Sequence, residues 1–178
     1  FGKDGYLYIS VGDGGTRPNY ESQDRSNLLG SLLRLKDDGG IPNSNPFVND
    51  PGARRCSRTG RTNAGNICIE IFAYGLRNPF RFSSNPNTPS GVTEFYISDV
   101  GRGTWEEINQ AGDGYEGANY GWMEREGPCE FGSTTRGCDP PNDFMDPIHY
   151  YPHDREANGG SAIVGGDFPP LGSWPVPS

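Results

Sequence analysis

At 178 residues the chain has room for one ordinary domain, or at most two. Its 27 glycines, 16 prolines and hydrophobic share of only 32% suit short strands and many turns, not long helices. A formal net charge of −8 argues against a nucleic-acid surface, which needs a basic face toward the phosphates. No apolar run approaches the roughly 20 residues of a membrane-spanning helix, and the glycines are scattered among aromatic segments instead of gathered in low-complexity tracts.

Residues 1–5 (FGKDG) enter a strand directly, without a start methionine or leader, which reads as a chain beginning inside a larger fold. Residues 6–11 alternate, with Tyr6, Tyr8 and Ser10 on one side and Leu7, Ile9 and Val11 on the other. The GDGG that follows lacks the G-x-G-x-x-G order of a dinucleotide site, and TRPNYESQ after it does not open a helix. It is read as a glycine-rich turn at a strand end. Residues 26–36 (SNLLGSLLRLK) are the nearest thing to an amphipathic helix, but Gly30-Ser31 suits a turn into a strand. That strand is expected to end in a hairpin turn at Asp38-Gly39, ahead of a long polar loop over 43–66.

Residues 70–122 (EIFAYGLRNPFRF, EFYISDVGRG, WEEIN, NYGW) read as four short strands joined by turns. Ile71, Ala73, Phe80 and Phe82 keep period-two spacing around a tight turn over 75–79, and the apolar run Phe95-Tyr96-Ile97 stops at Asp99-Val100-Gly101. Four strands in about fifty residues is the size of one propeller blade. YLYISVGDGG at 6–15 returns as EFYISDVGRG at 94–103, a spacing of 88 from Tyr8 to Tyr96 that reads as two repeats of 44. The expected fold is therefore all-β, a β-propeller of which this chain supplies roughly three to four blades, truncated at both ends. A second irregular stretch, 126–147, leads to IHYYPHD and then to GGSAIVGGDF at 159–168, expected as another glycine-flanked strand. The closing PPLGSWPVPS carries no expected element.

Four cysteines allow three connectivities. The spacings of Cys56/Cys68 and Cys129/Cys138 are not those of a zinc site, and local pairing, which closes each long loop on itself, is favoured over the crossed alternatives and over buried free thiols. Cystines imply an oxidising compartment, so the protein is expected to be secreted or exposed at a cell surface.

Taken together and in this order, GYLYISVGDGG, GSLLRLKDDGGIP, EIFAYGLRNPFRF, SDVGRGTWEEIN, GANYGW and DPIHYYPHD…GGSAIVGG resemble the glucose/sorbosone dehydrogenases. These are six-bladed propellers that include soluble quinoprotein sugar dehydrogenases and hedgehog-interacting-protein-like extracellular proteins. The resemblance covers most of the chain apart from the two cysteine-bearing loops. It implies a site for pyrroloquinoline quinone (PQQ) and calcium. Arg77 and Asn78 match the pair that contacts the quinone in active members, and a guanidinium can grip carboxylate or quinone oxygens by two bonds. Gly101 and Arg102 fall where two main-chain carbonyls meet the catalytic calcium, Arg102 standing where Gly-Pro is usual. Glu107 and the carbonyl of Tyr120 match a second, structural calcium site.

The activity implied is oxidation of an aldose at its anomeric carbon, with a histidine base, hydride transfer to the quinone and polarisation by calcium. The matching histidine would lie upstream of residues 1–11, and further cofactor-binding cations beyond Ser178, so no catalytic residue is assigned. His149 and His153 are expected to be surface or packing histidines. The alternative is a non-catalytic extracellular propeller module that binds a protein or glycan partner instead of a sugar substrate.

Overall fold

The computed structural model describes residues 1–15, 20–133, 138, 143–153 and 160–169. In chain order the strands are β1 (Leu7–Val11), β2 (Ser31–Leu35), β3 (Ala53–Arg54), β4 (Ile67–Cys68), β5 (Ile71–Tyr74) and β6 (Pro79–Ser84), then β7 (Glu94–Asp99), β8 (Trp105–Gly112), β9 (Arg125–Glu126), β10 (Cys129–Glu130) and β11 (His149–Pro152). A single 3-10 turn covers Tyr20–Gln23, and there is no α-helix among the described residues. The chain is all-β, as expected.

Two antiparallel sheets carry the architecture, one ordered β1-β2-β5 and the other β6-β7-β8-β11. Short ribbons, parallel β3–β4 and antiparallel β9–β10, sit in the long connections. The sheets meet through Tyr8, Leu32, Phe72, Ala73, Leu76, Phe95 and Ile97. The Tyr8 ring lies edge-on to Phe72 at 5.3 Å in its own sheet and to Phe95 at 4.7 Å in the other. Such aromatic pairs add about 0.5–1.5 kcal/mol beyond the area they bury. Leu33 and Ile71 point the opposite way, against Phe47 and Cys68 of the long loop. Covering on both faces explains why SLLRL and IFAY read as near-continuous apolar runs instead of alternating.

The repeat is longer than its spacing suggested. β1-β2-β5 matches β7-β8-β11 in order and direction. In each, a glycine-bearing turn follows the first strand, and a long connection carrying a ribbon and a cystine precedes the last. The echo between residues 6–15 and 94–103 thus joins equivalent strands one blade apart, so 88 residues is one period and not two. Among the described residues there are two blade sheets rather than three to four, because connections 36–70 and 113–148 consume the sequence assigned to further blades.

Residues 70–122 likewise do not make one blade: β5 closes the first sheet and β6 opens the second. Gly75 turns with φ +80, and Asp99 captures the next two free amides, so the chain leaves the β5 ladder instead of folding back on it. The Asp38-Gly39 turn forms, with Lys36 N–H donating to Gly40 O at 2.8 Å, but no strand returns from it. Residues 160–168 carry no ladder; their glycines leave only Ile163 buried, so the expected strand is an extended segment. Residues 16–19 and 170–178 lie outside the described residues. Both cystines are local, Cys56–Cys68 and Cys129–Cys138, with Cα separations of 5.2 and 5.1 Å.

Candidate functional site

Two turns at one end of the sheets meet through Asp99. This buried carboxylate, the last residue of β7, accepts the N–H of Arg77 at 3.0 Å and that of Asn78 at 2.6 Å. The turn between β5 and β6 is thereby held against the start of the β7–β8 turn. Arg77 Nη1 donates to the carbonyls of Val100 and Gly101, both at 2.7 Å. Its guanidinium lies 5.5 Å from the Trp122 ring, whose Nε1 donates to Asp13 Oδ2 at 2.8 Å. Asp13 N–H in turn donates to Arg77 O. The turns carrying Arg77 and Gly101 therefore share one rim, joined by Asp13 from the first blade. Arg77 is half-buried with its Nε unpartnered, while the Asn78 side chain is exposed.

The β7–β8 turn is built around a carboxylate from elsewhere. Glu126 Oε1, on β9, accepts the N–H groups of Arg102, Gly103 and Thr104 at 2.6, 2.8 and 3.0 Å, with Trp105 at 3.4 Å. Successive amides converging on one oxygen form an anion nest. Gly101 fits only because it lacks a side chain: a Cβ there would lie 1.6 Å from Trp105 O. The Arg102 guanidinium points away, 5.5 Å from Phe131. Beneath the turn, fully buried Glu106 accepts from Gly101 N at 3.3 Å and Ile163 N at 3.0 Å, and its other oxygen pairs with His153 Nε2. His153 is thus a packing histidine with an acid partner.

Glu107 lies opposite Asp99 in the β7–β8 ladder, and both are buried. Burial is the main cause holding both carboxyls above the usual carboxylate range; for Asp99 the second cause is the charge of Glu107. Glu107 accepts from Asn109 Nδ2 at 3.1 Å and from Gly127 N, and Arg125 offsets part of its cost. Asn109 Oδ1 is buried with no partner. Tyr120 is buried, its N–H donating to Tyr74 O at 2.9 Å and its hydroxyl to Gln110 O at 2.6 Å. Burial, then Tyr115 and Asp99, push that hydroxyl up.

Tested against the implied groups, these surroundings divide. Around Glu107, an orphaned amide oxygen and two under-compensated carboxylates are the hard oxygen donors calcium takes, and they fit such an ion. At Gly101 the carbonyl already accepts from a guanidinium. A metal on the same oxygen would face that cation at close range, costing on the order of 4 kcal/mol per unit-charge pair at 4 Å. That arrangement does not fit calcium while Arg77 holds the carbonyl. For an anionic quinone the fit is better, since Arg77 Nε and the Asn78 amide are donors without partners at the rim.

Asp13, Trp122, Glu106, Asn109, Glu126 and His153 were not anticipated as parts of this rim and its support. Of these, Asp13, Glu106, Asn109, Trp122 and His153 fall within the motifs GDGG, WEEIN, NYGW and DPIHYYPHD, and Glu126 falls in none of them. A cavity of 730 Å³ lies elsewhere, between β6 and residues 164–167. The grouping of Cys56, Cys68 and Glu70 is not a metal site, because both sulfurs are in the cystine.

A four-stranded and a three-stranded antiparallel sheet, with the Arg77 and Gly101 turns meeting at one end, define part of a β-propeller. The chain belongs to the Glucose / Sorbosone dehydrogenase family, whose description matches residues 1–174. It is 32% identical over 195 residues to the HIPL1 protein of Arabidopsis thaliana, covering 94% of this chain and 25% of that protein. It is 36% identical over 118 residues to the aldose sugar dehydrogenase YliI of Escherichia coli, covering 66% of this chain and 26% of that one. Among solved structures it resembles the PQQ-bound aldose sugar dehydrogenase of Streptomyces coelicolor, with TM-score 0.59 and 28% identity over 86% of this chain and 34% of that one. The chain spans about a quarter of the length of these curated relatives.

Proposed function

We propose that this chain is part of a sugar dehydrogenase-type propeller whose Arg77–Asn78 rim holds a quinone cofactor of the PQQ kind. The observation that carries the reading is the meeting of the Arg77 and Gly101 turns at Asp99, with donors left unpartnered beside them. In this reading Arg77 and Asn78 bind and orient the cofactor's oxygens, and Trp122 and Asp13 hold Arg77 in place. Asp99 fixes the turn through its two amides. When bound, the quinone would accept the hydride from the anomeric carbon of an aldose. Glu107, with Asn109 Oδ1 and the Tyr120 carbonyl, is assigned a calcium ion that stabilises the fold. No residue of this chain is assigned as the base, and no step is drawn through a metal at Gly101 and Arg102. Two cystines support an oxidising compartment, secreted or at the cell surface.

A second reading, a non-catalytic extracellular module with a protein or glycan partner, is favoured by one contact: Arg77 is engaged with the Gly101 carbonyl that the catalytic metal would need. Dye reduction by the intact protein, with quinone, calcium and a panel of aldoses, separates the two. Reduction that requires both quinone and calcium supports the dehydrogenase. Quinone binding without reduction supports the module, and neither binding nor reduction sinks the rim's assignment.

A further inference from the structure

One patch departs from the acidic whole. Four of the chain's fifteen basic residues, Arg54, Arg55, Arg58 and Arg61, fall within eight positions around Cys56, and all four are exposed. Arg54, Arg55 and Arg61, with Ser57, Asn63 and Asn66, line a cavity of 470 Å³. The backbone beneath is tied down by the Cys56–Cys68 cystine, by the β3–β4 ribbon and by Ser57 N–H donating to Arg61 O at 2.8 Å. Three carboxylates bear on the patch: Glu70, 3.7 Å from Arg55, Glu21, 3.1 Å from Arg61, and Asp24, whose charge also reaches Arg61. Glu70 is also occupied by the Cys56 amide. Arg54 donates only to the adjacent Ala53 carbonyl, and Arg58 has no hydrogen bond or ion pair among the described residues. The patch therefore keeps guanidinium groups to spare within a chain of net charge −8.

We propose that this cavity binds an anionic polysaccharide, one whose sugar units carry carboxylate or sulfate groups. Guanidinium groups match either anion by paired N–H donors, and the hydroxyl and amide groups between them suit sugar hydroxyls. No aromatic side chain lines the cavity to stack a nucleotide base, and no large apolar one lines it to enter a membrane. The volume lies within the range of small-ligand sites. This assignment is independent of the Arg77 rim.

The test is equilibrium binding of the intact protein, at physiological ionic strength, to four probes: a polygalacturonate oligomer, a heparin-derived oligosaccharide, neutral dextran and single-stranded oligodeoxynucleotide. The variant is Arg54→Ala/Arg58→Ala, which leaves the Arg55–Glu70 and Arg61–Glu21 pairs in place, so its melting temperature should be unchanged. Expected is binding of at least one anionic saccharide but not dextran, weakened about tenfold or more in the alanine variant and less in Arg54→Lys/Arg58→Lys. The arm that binds identifies carboxylate or sulfate as the ligand group. Failure of both anionic saccharides, indifference to the alanine pair, equal binding of dextran, or tighter binding of the oligonucleotide would overturn the proposal.

Discussion

Gly101 and Glu126 show how tightly single positions set the rim. A methyl group at Gly101 would overlap the Trp105 carbonyl, so Gly101→Ala must displace the whole β7–β8 turn. The expected loss is about 2 kcal/mol or more in urea unfolding. Glu126→Gln keeps the shape but replaces a carboxylate serving up to four amides, for an expected loss of about 1–3 kcal/mol. A change under about 0.5 kcal/mol for either variant would mean the nest does not hold the turn. The meeting of Arg77 with Gly101 could be expected from sequence, because each stands in a recognisable turn next to a strand end. The supports could not. Trp122 reaches Asp13 across 109 positions, and Glu126 serves amides 21 to 24 positions away, so no local pattern announces either contact.

The connections between strands decide the element scale. Strand positions were readable from apolar runs, but the blade to which each belongs was not, because the long connections carry polar sequence that resembles no repeat. The loop over 57–67 is closed by Cys56 and Cys68, twelve positions apart. Replacing both by serine should cost about 3 kcal/mol on the chain-entropy account, measured by thermal or urea unfolding. An unchanged midpoint would show that the Leu33, Phe47 and Ile71 packing holds the loop alone. Tyr8 links the sheets, and burial raises its hydroxyl above the ordinary 10.0. Its neutral form is favoured by folding, so this contribution is complete below the ordinary pKa and is lost as pH rises past it toward the raised value. Stability should therefore fall above about pH 10, and Tyr8→Phe should flatten that decline. An identical alkaline slope in the variant would remove Tyr8 as its source.

Over the whole molecule, two blade sheets form a partial wheel, and the chain covers 34% of the S. coelicolor enzyme that shares its fold. The all-β architecture and family membership follow from sequence because strand patterning and motif order survive without the missing neighbours. The site does not follow as completely, since a propeller gathers its ligand groups from blades far apart in the chain. The most direct measurement is a titration of PQQ into the intact protein in the presence of calcium, for the wild type and for Arg77→Ala. The account predicts saturable binding by the wild type and an affinity about tenfold or more weaker in the variant. Equal affinities, or no binding by the wild type, would contradict it.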